Sequence, residues 1–181
     1  MLLVILAGRL GTGKTTLARR LAGTLHAAYL RIDAIETAVV RCGLAHYPVG
    51  PVGYVVAHEI ASATLELGTS VVVDAVNPVP EARAGWRPLS QRAQLVWLET
   101  VIPDTREHRR RVTARQPDME GQFVPTWDQV LAADYVPWDD ERDGQRHVVN
   151  MTDTEQGIVE ALTLLRRHQA EADRTAAIPP T

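Results

Sequence analysis

One segment of the chain has the residue types and the spacing of a phosphate-binding loop. Residues 8–15 read Gly-Arg-Leu-Gly-Thr-Gly-Lys-Thr and match the pattern G-x-x-x-x-G-K-[ST] at every fixed position. The glycines let backbone N–H groups close around a polyphosphate, and the following helix turns its positive N-terminal end toward the same charge. Lys14 is expected to reach the β- and γ-phosphates of ATP, and the Thr15 hydroxyl is expected to hold Mg2+. The predicted nucleotide-binding residues are Gly8, Gly11, Thr12, Gly13, Lys14, Thr15 and Thr16.

Lys14 is the only lysine of the chain, whereas arginine occurs 18 times. A lysine ammonium is a compact charge on a flexible stem, and a phosphate loop needs a cation of that kind. The composition therefore supports the assignment of Lys14 to phosphate. The motif predicts no role for Arg9, which lies inside the loop.

Asp74 is a second candidate for the nucleotide site. It ends the nearly all β-branched run of residues 70–74, which is typical of a central parallel strand buried on both faces. Because ligands of open α/β sheets bind outside the carboxyl ends of the strands, Asp74 is expected near the phosphate loop. There it can orient a Mg2+-bound water or the Thr15 hydroxyl, as a Walker B acid does. The alternative is a capping or turn aspartate ahead of Asn77.

Arginines are concentrated between residues 106 and 115, where five occur. Arg111 and Arg115 are i,i+4 neighbours, so they can clamp adjacent phosphate oxygens, or one can stack on a base while the other stabilises the transferred phosphoryl group. The alternative is a solvated helix held by pairs such as Glu107–Arg111. Residues 116–125 then lack an apolar period, so the segment of about 103–125 is predicted to be a lid that excludes water.

The elements that must position these residues alternate between short apolar runs and longer helical patterns, which predicts βαβ units. Strands are predicted over about 2–7, 28–32, 70–74, 94–98 and 146–150, and helices over about 14–26, 34–43, 52–67, 79–92, 104–115, 126–134 and 155–169. The predicted fold is a three-layer α/β P-loop NTPase fold with a five-stranded parallel sheet. Residues 1–170 form one domain in this interpretation, and residues 171–181 form a loose tail.

Two helices carry further predictions. In the second helix, Cys42 falls on an apolar face and is expected to be a small core residue rather than a nucleophile. In the third helix, Tyr54 and His58 project from the face opposite the apolar one, where they are either solvated or border an acceptor pocket. The preceding connector, residues 44–54, is rich in proline and glycine and is expected to shape the same pocket.

The composition of the chain argues against some classes of function. The formal charge of −3, the pI of about 6.1 and the few aromatic residues argue against a protein that coats nucleic acid, although a local basic patch remains compatible with it. The apolar N-terminal run ends after seven residues without a basic leader, so it is interpreted as a first strand. One cysteine excludes an internal disulfide, and no run is long enough for a membrane span, which together favour a cytoplasmic protein.

These motifs resemble those of the small P-loop kinases over residues 1 to about 168. That family includes nucleoside-monophosphate, shikimate and gluconate kinases, chloramphenicol phosphotransferase and the 5′-kinase domain of phage-type polynucleotide kinase. In shikimate-kinase-like proteins the second strand ends in Asp-x-Asp. Here Arg31-Ile32-Asp33 keeps only the second acid, so the resemblance implies that Asp33 contacts the acceptor hydroxyl and that the metal role of the first acid passes to Asp74.

The resemblance also implies roles for three other segments. Arg111 and Arg115 match the Arg-x-x-x-Arg spacing of the adenylate-kinase lid, in which the first arginine stacks on adenine and the second touches phosphate. The turn of residues 73–78 is similar to that of the polynucleotide-kinase branch, which makes Asn77 an acceptor-binding candidate. Residues 150–153 are similar to the guanine-reading Asn-Lys-x-Asp without its lysine, and are interpreted as the loop near adenine.

The function expected from these features is transfer of the γ-phosphoryl group of ATP, with Mg2+, to a hydroxyl of a small molecule such as a metabolite, nucleoside or antibiotic. The predicted catalytic residues are Lys14, Asp33, Arg111 and Arg115. Two alternatives are a polynucleotide 5′-hydroxyl kinase and a nucleotide-gated regulator or toxin-like binding protein without catalysis. The spacing of the candidate residues names no particular acceptor and no oligomeric state.

Overall fold

A computed structural model describes residues 1–176 of the chain, with side chains through residue 170. The chain forms one five-stranded sheet in the order β2-β3-β1-β4-β5, and every paired neighbour is parallel. The strands are β1 (Leu2–Ala7), β2 (Ala28–Arg31), β3 (Val71–Asp74), β4 (Gln94–Val101) and β5 (His147–Asn150). The α-helices are α1 (Lys14–Leu25), α2 (Ile32–Arg41), α3 (Val52–Glu66), α4 (Pro80–Ala84), α5 (Thr105–Ala114), α6 (Trp127–Ala132), α7 (Asp140–Asp143) and α8 (Thr154–Ala176).

Apolar side chains cover both faces of the sheet, as a parallel sheet requires. On one face, Leu17 and Leu21 of α1 and Ile158 of α8 pack against alternate residues of β1 and β4. On the other face, α3 and the buried Trp86 pack against the intervening residues of the same strands. The predicted three-layer α/β fold with a five-stranded parallel sheet is therefore confirmed.

The observed elements differ from the predicted ones mainly at their ends. The helix predicted over 79–92 is divided into α4 and a 3-10 helix, Arg87–Gln91. Strand β4 continues to Val101 because it pairs with β1 along its first part and with β5 along its last part. The short helix α7 was not predicted from the sequence.

The C-terminal helix is longer than its apolar period predicted. Helix α8 continues to Ala176, so the first part of the predicted loose tail is helical, and residues 177–181 lie outside the described residues. Even so, no helix among the described residues combines the length and the apolar character needed to cross a membrane.

The prediction that Cys42 is a core residue is wrong, because its side chain is exposed. Helix α2 ends at Arg41 and buries Ile32 and Thr37 instead. The Thr37 hydroxyl donates to the Asp33 carbonyl at 2.6 Å and lies 3.0 Å from the hydroxyl of Tyr47. The helix therefore turns a partly polar face toward the connector, and the apolar pattern alone did not indicate that orientation.

Candidate functional site

The phosphate loop joins β1 to α1 at the carboxyl edge of the sheet. Gly8, Gly11 and Gly13 have φ angles of 127°, 82° and 93°, which favour glycine. A Cβ atom on Gly8 would lie 2.4 Å from the carbonyl oxygen of Thr100. The Thr12 hydroxyl donates to the Arg9 carbonyl at 2.7 Å and lies 2.6 Å from the Thr100 hydroxyl. The loop is thus closed by its own backbone and by β4.

The Lys14 ammonium lies inside this loop. It donates hydrogen bonds of 2.8 Å to the carbonyls of Gly8 and Arg9, and only 7% of the residue is exposed. Burial lowers the pKa of Lys14 to about 8, while the negative charges of Asp74 and Asp33 oppose that shift. The ammonium is therefore held where it can exchange two carbonyl partners for phosphate oxygens.

Arg9, for which the sequence predicted no role, connects the loop to the segment after the lid. Its guanidinium donates to the Val130 carbonyl of α6 at 3.4 Å and lies 5.1 Å from the centre of the Tyr135 ring. That ring position is within the range of a cation–π contact. Residues 121 positions apart make the hydrogen bond, so no local sequence pattern could have indicated it.

A cavity of about 410 Å³ lies beside the loop. Gly8 and Thr12 do not line it, whereas most of the other predicted site residues do. They are Gly11, Gly13, Lys14, Thr15, Thr16, Asp33, Asp74, Arg111 and Arg115. We call this space the nucleotide cavity.

The two predicted acids reach the nucleotide cavity from the ends of neighbouring strands. Asp74 is 4% exposed, and its Oδ2 accepts a hydrogen bond of 2.9 Å from the Tyr29 hydroxyl. Asp33, in the first turn of α2, has its Oδ2 3.5 Å from the guanidinium of Arg115 and 3.5 Å from the amide of Gln122. The sequence placed Asp33 and Asp74 near the phosphate loop but did not indicate Tyr29 or Gln122.

The residues present fit a Mg2+ ion whose coordination shell is completed by nucleotide phosphates. Thr15 and Asp74 line the same cavity, and no group of three or more acid, histidine or cysteine side chains among the described residues forms a metal cage. Magnesium usually takes one or two protein ligands and completes its octahedron with waters and substrate phosphates. Thr15 and Asp74 are the residues that would hold it.

Arg31 stands where the related pattern has its first acid, and it brings the lid to the nucleotide cavity. The buried guanidinium donates hydrogen bonds of 2.8 and 3.0 Å to the two carboxylate oxygens of Asp118. Arg19 of α1 donates to the same carboxylate at 2.8 Å. Hydrogen bonding from Arg31, more than the other contacts, lowers the pKa of Asp118 to about 2. The Nε of Arg31 is buried without a hydrogen-bond partner, 3.7 Å from Asp74.

Helix α5 of the predicted lid packs directly on the phosphate loop. His108 lies 2.7 Å from the Leu10 carbonyl, and the side chain of Val112 occupies the space beside Gly11. Asp104 caps the helix by accepting from the amide of Arg106. The position of the loop and that of the lid are therefore coupled by short side-chain contacts.

Arg111 and Arg115 both line the nucleotide cavity, but they contact different residues. Arg111 donates to the carbonyls of Met151 and Thr152 at 2.8 and 2.7 Å, and to Glu107 at 2.7 Å. The Glu107–Arg111 ion pair, which the sequence suggested as the alternative to a phosphate clamp, is therefore present. Arg111 also contacts the segment of residues 150–153, which is interpreted as the loop near adenine. Arg115 lies instead beside Asp33.

A second cavity, of about 600 Å³, adjoins the first. The two share Asp33 and Arg115 in their lining, together with Leu10 and Val76. The connector contributes residues 47–50 to the second cavity, and the end of the lid contributes Phe123 and Pro125. The connector, which the sequence predicts to shape an acceptor pocket, therefore lines this cavity. We call this space the acceptor cavity.

The structure does not bring the other three acceptor candidates to either cavity. Asn77 is fully buried, where its amide donates to the Leu6 carbonyl at 2.7 Å and accepts from Trp86 Nε1 at 3.0 Å. The Tyr54 hydroxyl accepts from the Asn77 backbone amide at 3.0 Å. His58 packs edge-on against Trp86, with ring centres 4.0 Å apart. These assignments are corrected: the three side chains hold the turn after β3 against α3.

The comparison with protein families gives one match. The family model described as AAA domain matches residues 3–133. That range covers the phosphate loop, both acids and the whole predicted lid. No curated protein matches the chain.

Solved structures with a similar fold are numerous. A sugar kinase from Janibacter sp. HTCC2649 is 20% identical, with a TM-score of 0.65 and 90% of this chain and 93% of that chain covered. A gluconokinase from Sinorhizobium meliloti 1021 is 16% identical, with a TM-score of 0.65 and 97% of each chain covered. Chaetomium thermophilum Kti12, in complex with ADP-AlF3, is 14% identical, with a TM-score of 0.68 and coverages of 91% and 97%. These likenesses show the fold of the small P-loop kinases.

Proposed function

From the premise that the chain belongs to the AAA domain family, we propose that it transfers the γ-phosphoryl group of ATP to a hydroxyl of a small molecule. One observation carries the proposal. The Asp33 carboxylate lies at the junction of the nucleotide cavity and the acceptor cavity, so it borders both reactants. A carboxylate at that junction is suited to accept a hydrogen bond from an attacking hydroxyl.

Five side chains that line the nucleotide cavity have a role in this proposal. The loop amides and Lys14 hold the phosphates, and Arg115 stabilises charge on the transferred group. Thr15 and Asp74 would hold Mg2+, which would supply positive charge to the polyphosphate when bound. Asp33 orients the acceptor hydroxyl and takes its proton as the new O–P bond forms and the bond to ADP breaks. Helix α5 and the rest of the lid exclude water.

A matched pair of variants tests the proposal. Asp33→Asn keeps the size of the side chain but removes its basicity, so phosphoryl transfer is expected to fall by about 10²–10⁴-fold with ATP affinity nearly unchanged. Asp134→Asn makes the same chemical change at an exposed position and is expected to leave both unchanged. ATP-dependent phosphorylation in a panel of hydroxylated metabolites and antibiotics, followed by mass spectrometry, gives the transfer rate, and calorimetry gives the affinity. A full transfer rate in Asp33→Asn would contradict the role of this residue.

A nucleotide-gated binding protein is the second candidate, and one observation favours it. A guanidinium, that of Arg31, occupies the position of the first acid of related kinases and is paired with the lid. ATP would then bind and move the lid without transfer. ATP binding with no phosphorylated product in the whole panel would support this candidate over the kinase.

The polynucleotide kinase alternative has weaker support in the geometry. The acceptor cavity is lined mostly by apolar side chains, and Arg115 is its only basic lining residue. Nucleic-acid grooves are instead lined by several basic side chains that contact successive phosphates. Phosphorylation of a labelled oligonucleotide, measured at two salt concentrations, tests this alternative directly.

A further inference from the structure

We infer that the acceptor cavity takes a hydroxylated organic cation, an amine-bearing alcohol with an apolar or aromatic body. This inference rests on the proposed function and names its substrate class. It depends on three properties of the cavity: apolar walls, two acids on one helix face, and an almost complete lack of basic groups.

The walls of the acceptor cavity fit an apolar body. They include the side chains of Val49, Val76, Phe123 and Pro125. The rings of Tyr47 and Phe123 lie 5.6 Å apart between their centres, and Phe123 is 51% exposed. An aromatic side chain at the edge of an apolar cavity loses contact with water when a ligand covers it, and this burial favours binding.

Two acids face this apolar space from one side of α2. Asp33 and Glu36 are three positions apart on the helix, so they are neighbours on its surface, with Cβ atoms about 5–6 Å apart. Both line the acceptor cavity. A hydroxyl held at Asp33 therefore places the adjacent part of the same molecule beside Glu36.

The Glu36 carboxyl has no cationic partner within the part of the chain whose side chains are described. It takes part in none of the salt bridges or side-chain hydrogen bonds found there, although α3 packs against it closely enough that a Cβ on Gly53 would meet its Cγ at 2.7 Å. Burial, with repulsion from Asp33, raises the pKa of Glu36 to about 7. A half-buried acid without a partner gains most from a ligand that brings a positive charge.

Anionic acceptors have no matching group in this cavity. Arg115 is its single basic lining residue, and its guanidinium lies 3.5 Å from Asp33 at the boundary with the nucleotide cavity. Asp33 also lies 3.5 Å from the guanidinium of Arg31, so the Glu36 carboxyl, when ionised, is the unpaired charge that faces the acceptor cavity. A carboxylate or phosphate on the acceptor would therefore be repelled, whereas an ammonium would be attracted.

Three compounds with one skeleton test the inference: 2-amino-1-phenylethanol, its N-acetyl derivative and 3-hydroxy-3-phenylpropanoate. They offer a cation, a neutral group and an anion beside the same hydroxyl and ring. Calorimetry with a non-hydrolysable ATP analogue present measures binding, and mass spectrometry with ATP measures phosphorylation. The protein is used as wild type, as Glu36→Gln and as Glu59→Gln, which makes the same change at an exposed position of α3.

The ammonium compound is expected to bind wild type at least about tenfold more tightly than the neutral compound, as one hydrogen-bonded charge pair allows. That preference is expected to be lost in Glu36→Gln and kept in Glu59→Gln, with ATP-analogue affinity unchanged in both as a check on folding. Equal or tighter binding of the neutral or anionic compound, an unchanged preference in Glu36→Gln, or no binding by any of the three would overturn the inference. Phosphorylation without a charge preference would overturn it while supporting the kinase, and charge-selective binding without phosphorylation would support it while contradicting the kinase.

Discussion

The guanidinium of Arg31 and the carboxylate of Asp118 form a two-hydrogen-bond pair that closes the lid segment onto the end of β2. The residues are 87 positions apart, and Arg31 has a 4% exposed side chain. Asp118 also accepts from Arg19, so one carboxylate binds two cations that line the nucleotide cavity. This acid pairs with cationic groups that a polyphosphate would also attract.

Removal of that competing anion is expected to tighten nucleotide binding. We predict that Asp118→Asn raises ATP affinity by about three- to tenfold, a change of the size expected for one partly exposed charge contact. Glu120→Gln is the control, because Glu120 belongs to the same segment but pairs with Arg41 at 3.5 Å. Calorimetric titration with ATP measures both variants. A weaker affinity in Asp118→Asn would mean that the pair serves to hold the lid closed over bound nucleotide.

The burial of Lys14 predicts a pH dependence of nucleotide affinity. The pKa of Lys14 is about 8 in the free protein, and a bound polyphosphate stabilises the ammonium and raises that pKa. Affinity is therefore expected to be flat below about pH 8 and to fall by up to about tenfold per pH unit above it, since binding must then take up a proton. Titrations in buffers with different ionisation enthalpies measure the proton uptake.

Lys14→Arg provides the control for this dependence. An arginine stays charged throughout that range, so the slope is expected to disappear even if the affinity itself is lower. A wild-type affinity that stays constant from about pH 7 to about pH 9.5 would show that Lys14 does not carry the phosphate contact.

The two lid arginines are expected to affect different kinetic constants. Arg111 holds the loop of residues 150–153, so Arg111→Ala is predicted to raise KM for ATP about tenfold and to leave kcat nearly unchanged. Arg115 lies beside Asp33, so Arg115→Ala is predicted to lower kcat by about 10²-fold. Arg109→Ala, at an exposed position of the same helix, is expected to change neither. The same effect from Arg111→Ala and Arg115→Ala would contradict this division.

The contact between the phosphate loop and the lid helix can be tested by a pair of substitutions. A Cβ on Gly11, at φ 82°, would lie 2.4 Å from Cγ2 of Val112. Gly11→Ala is therefore expected to destabilise the fold by about 1–2 kcal/mol for the backbone alone, and further through this clash. Val112→Ala should relieve the clash, so the double variant is expected to be more stable than additivity predicts.

Thermal unfolding of the two single variants and the double variant measures this coupling. Gly43→Ala is the control, because Gly43 has a similar φ of 72° but no atom within 4 Å of the added Cβ. It should lose only the backbone contribution. Additive effects of Gly11→Ala and Val112→Ala would mean that the lid helix does not constrain the loop.

Much of the fold could be predicted because its signals are local or periodic. The phosphate loop, the β-branched run of β3 and the alternation of strands and helices each lie within one stretch of sequence. The carboxyl-edge rule for parallel sheets then predicts that Asp74 lies near the loop, and the resemblance to shikimate-kinase-like proteins implies that Asp33 does so too. The structure places these side chains around one cavity.

The predictions that the structure does not support concern which neighbour each face of a helix packs against. The sequence predicts that Tyr54 and His58 are either solvated or border a pocket, because their face of α3 is not the apolar one, yet that face packs against the turn that Asn77 holds. Cys42 was placed in the core because of its spacing on α2, and it is exposed. Helical periodicity shows that two faces differ, but the neighbour of each face depends on how the helix packs.

The sequence by itself determined the nucleotide-binding loop, the sheet and the position of the acids at its edge, because these follow from short motifs and from the chemistry of the backbone. Only the tertiary structure decided that Arg31 pairs with Asp118, that Arg9 reaches α6, and that Glu36 faces an apolar cavity without a cation. Those relationships join residues distant in the chain, whose side chains meet only when the packing of the lid and the connector is complete.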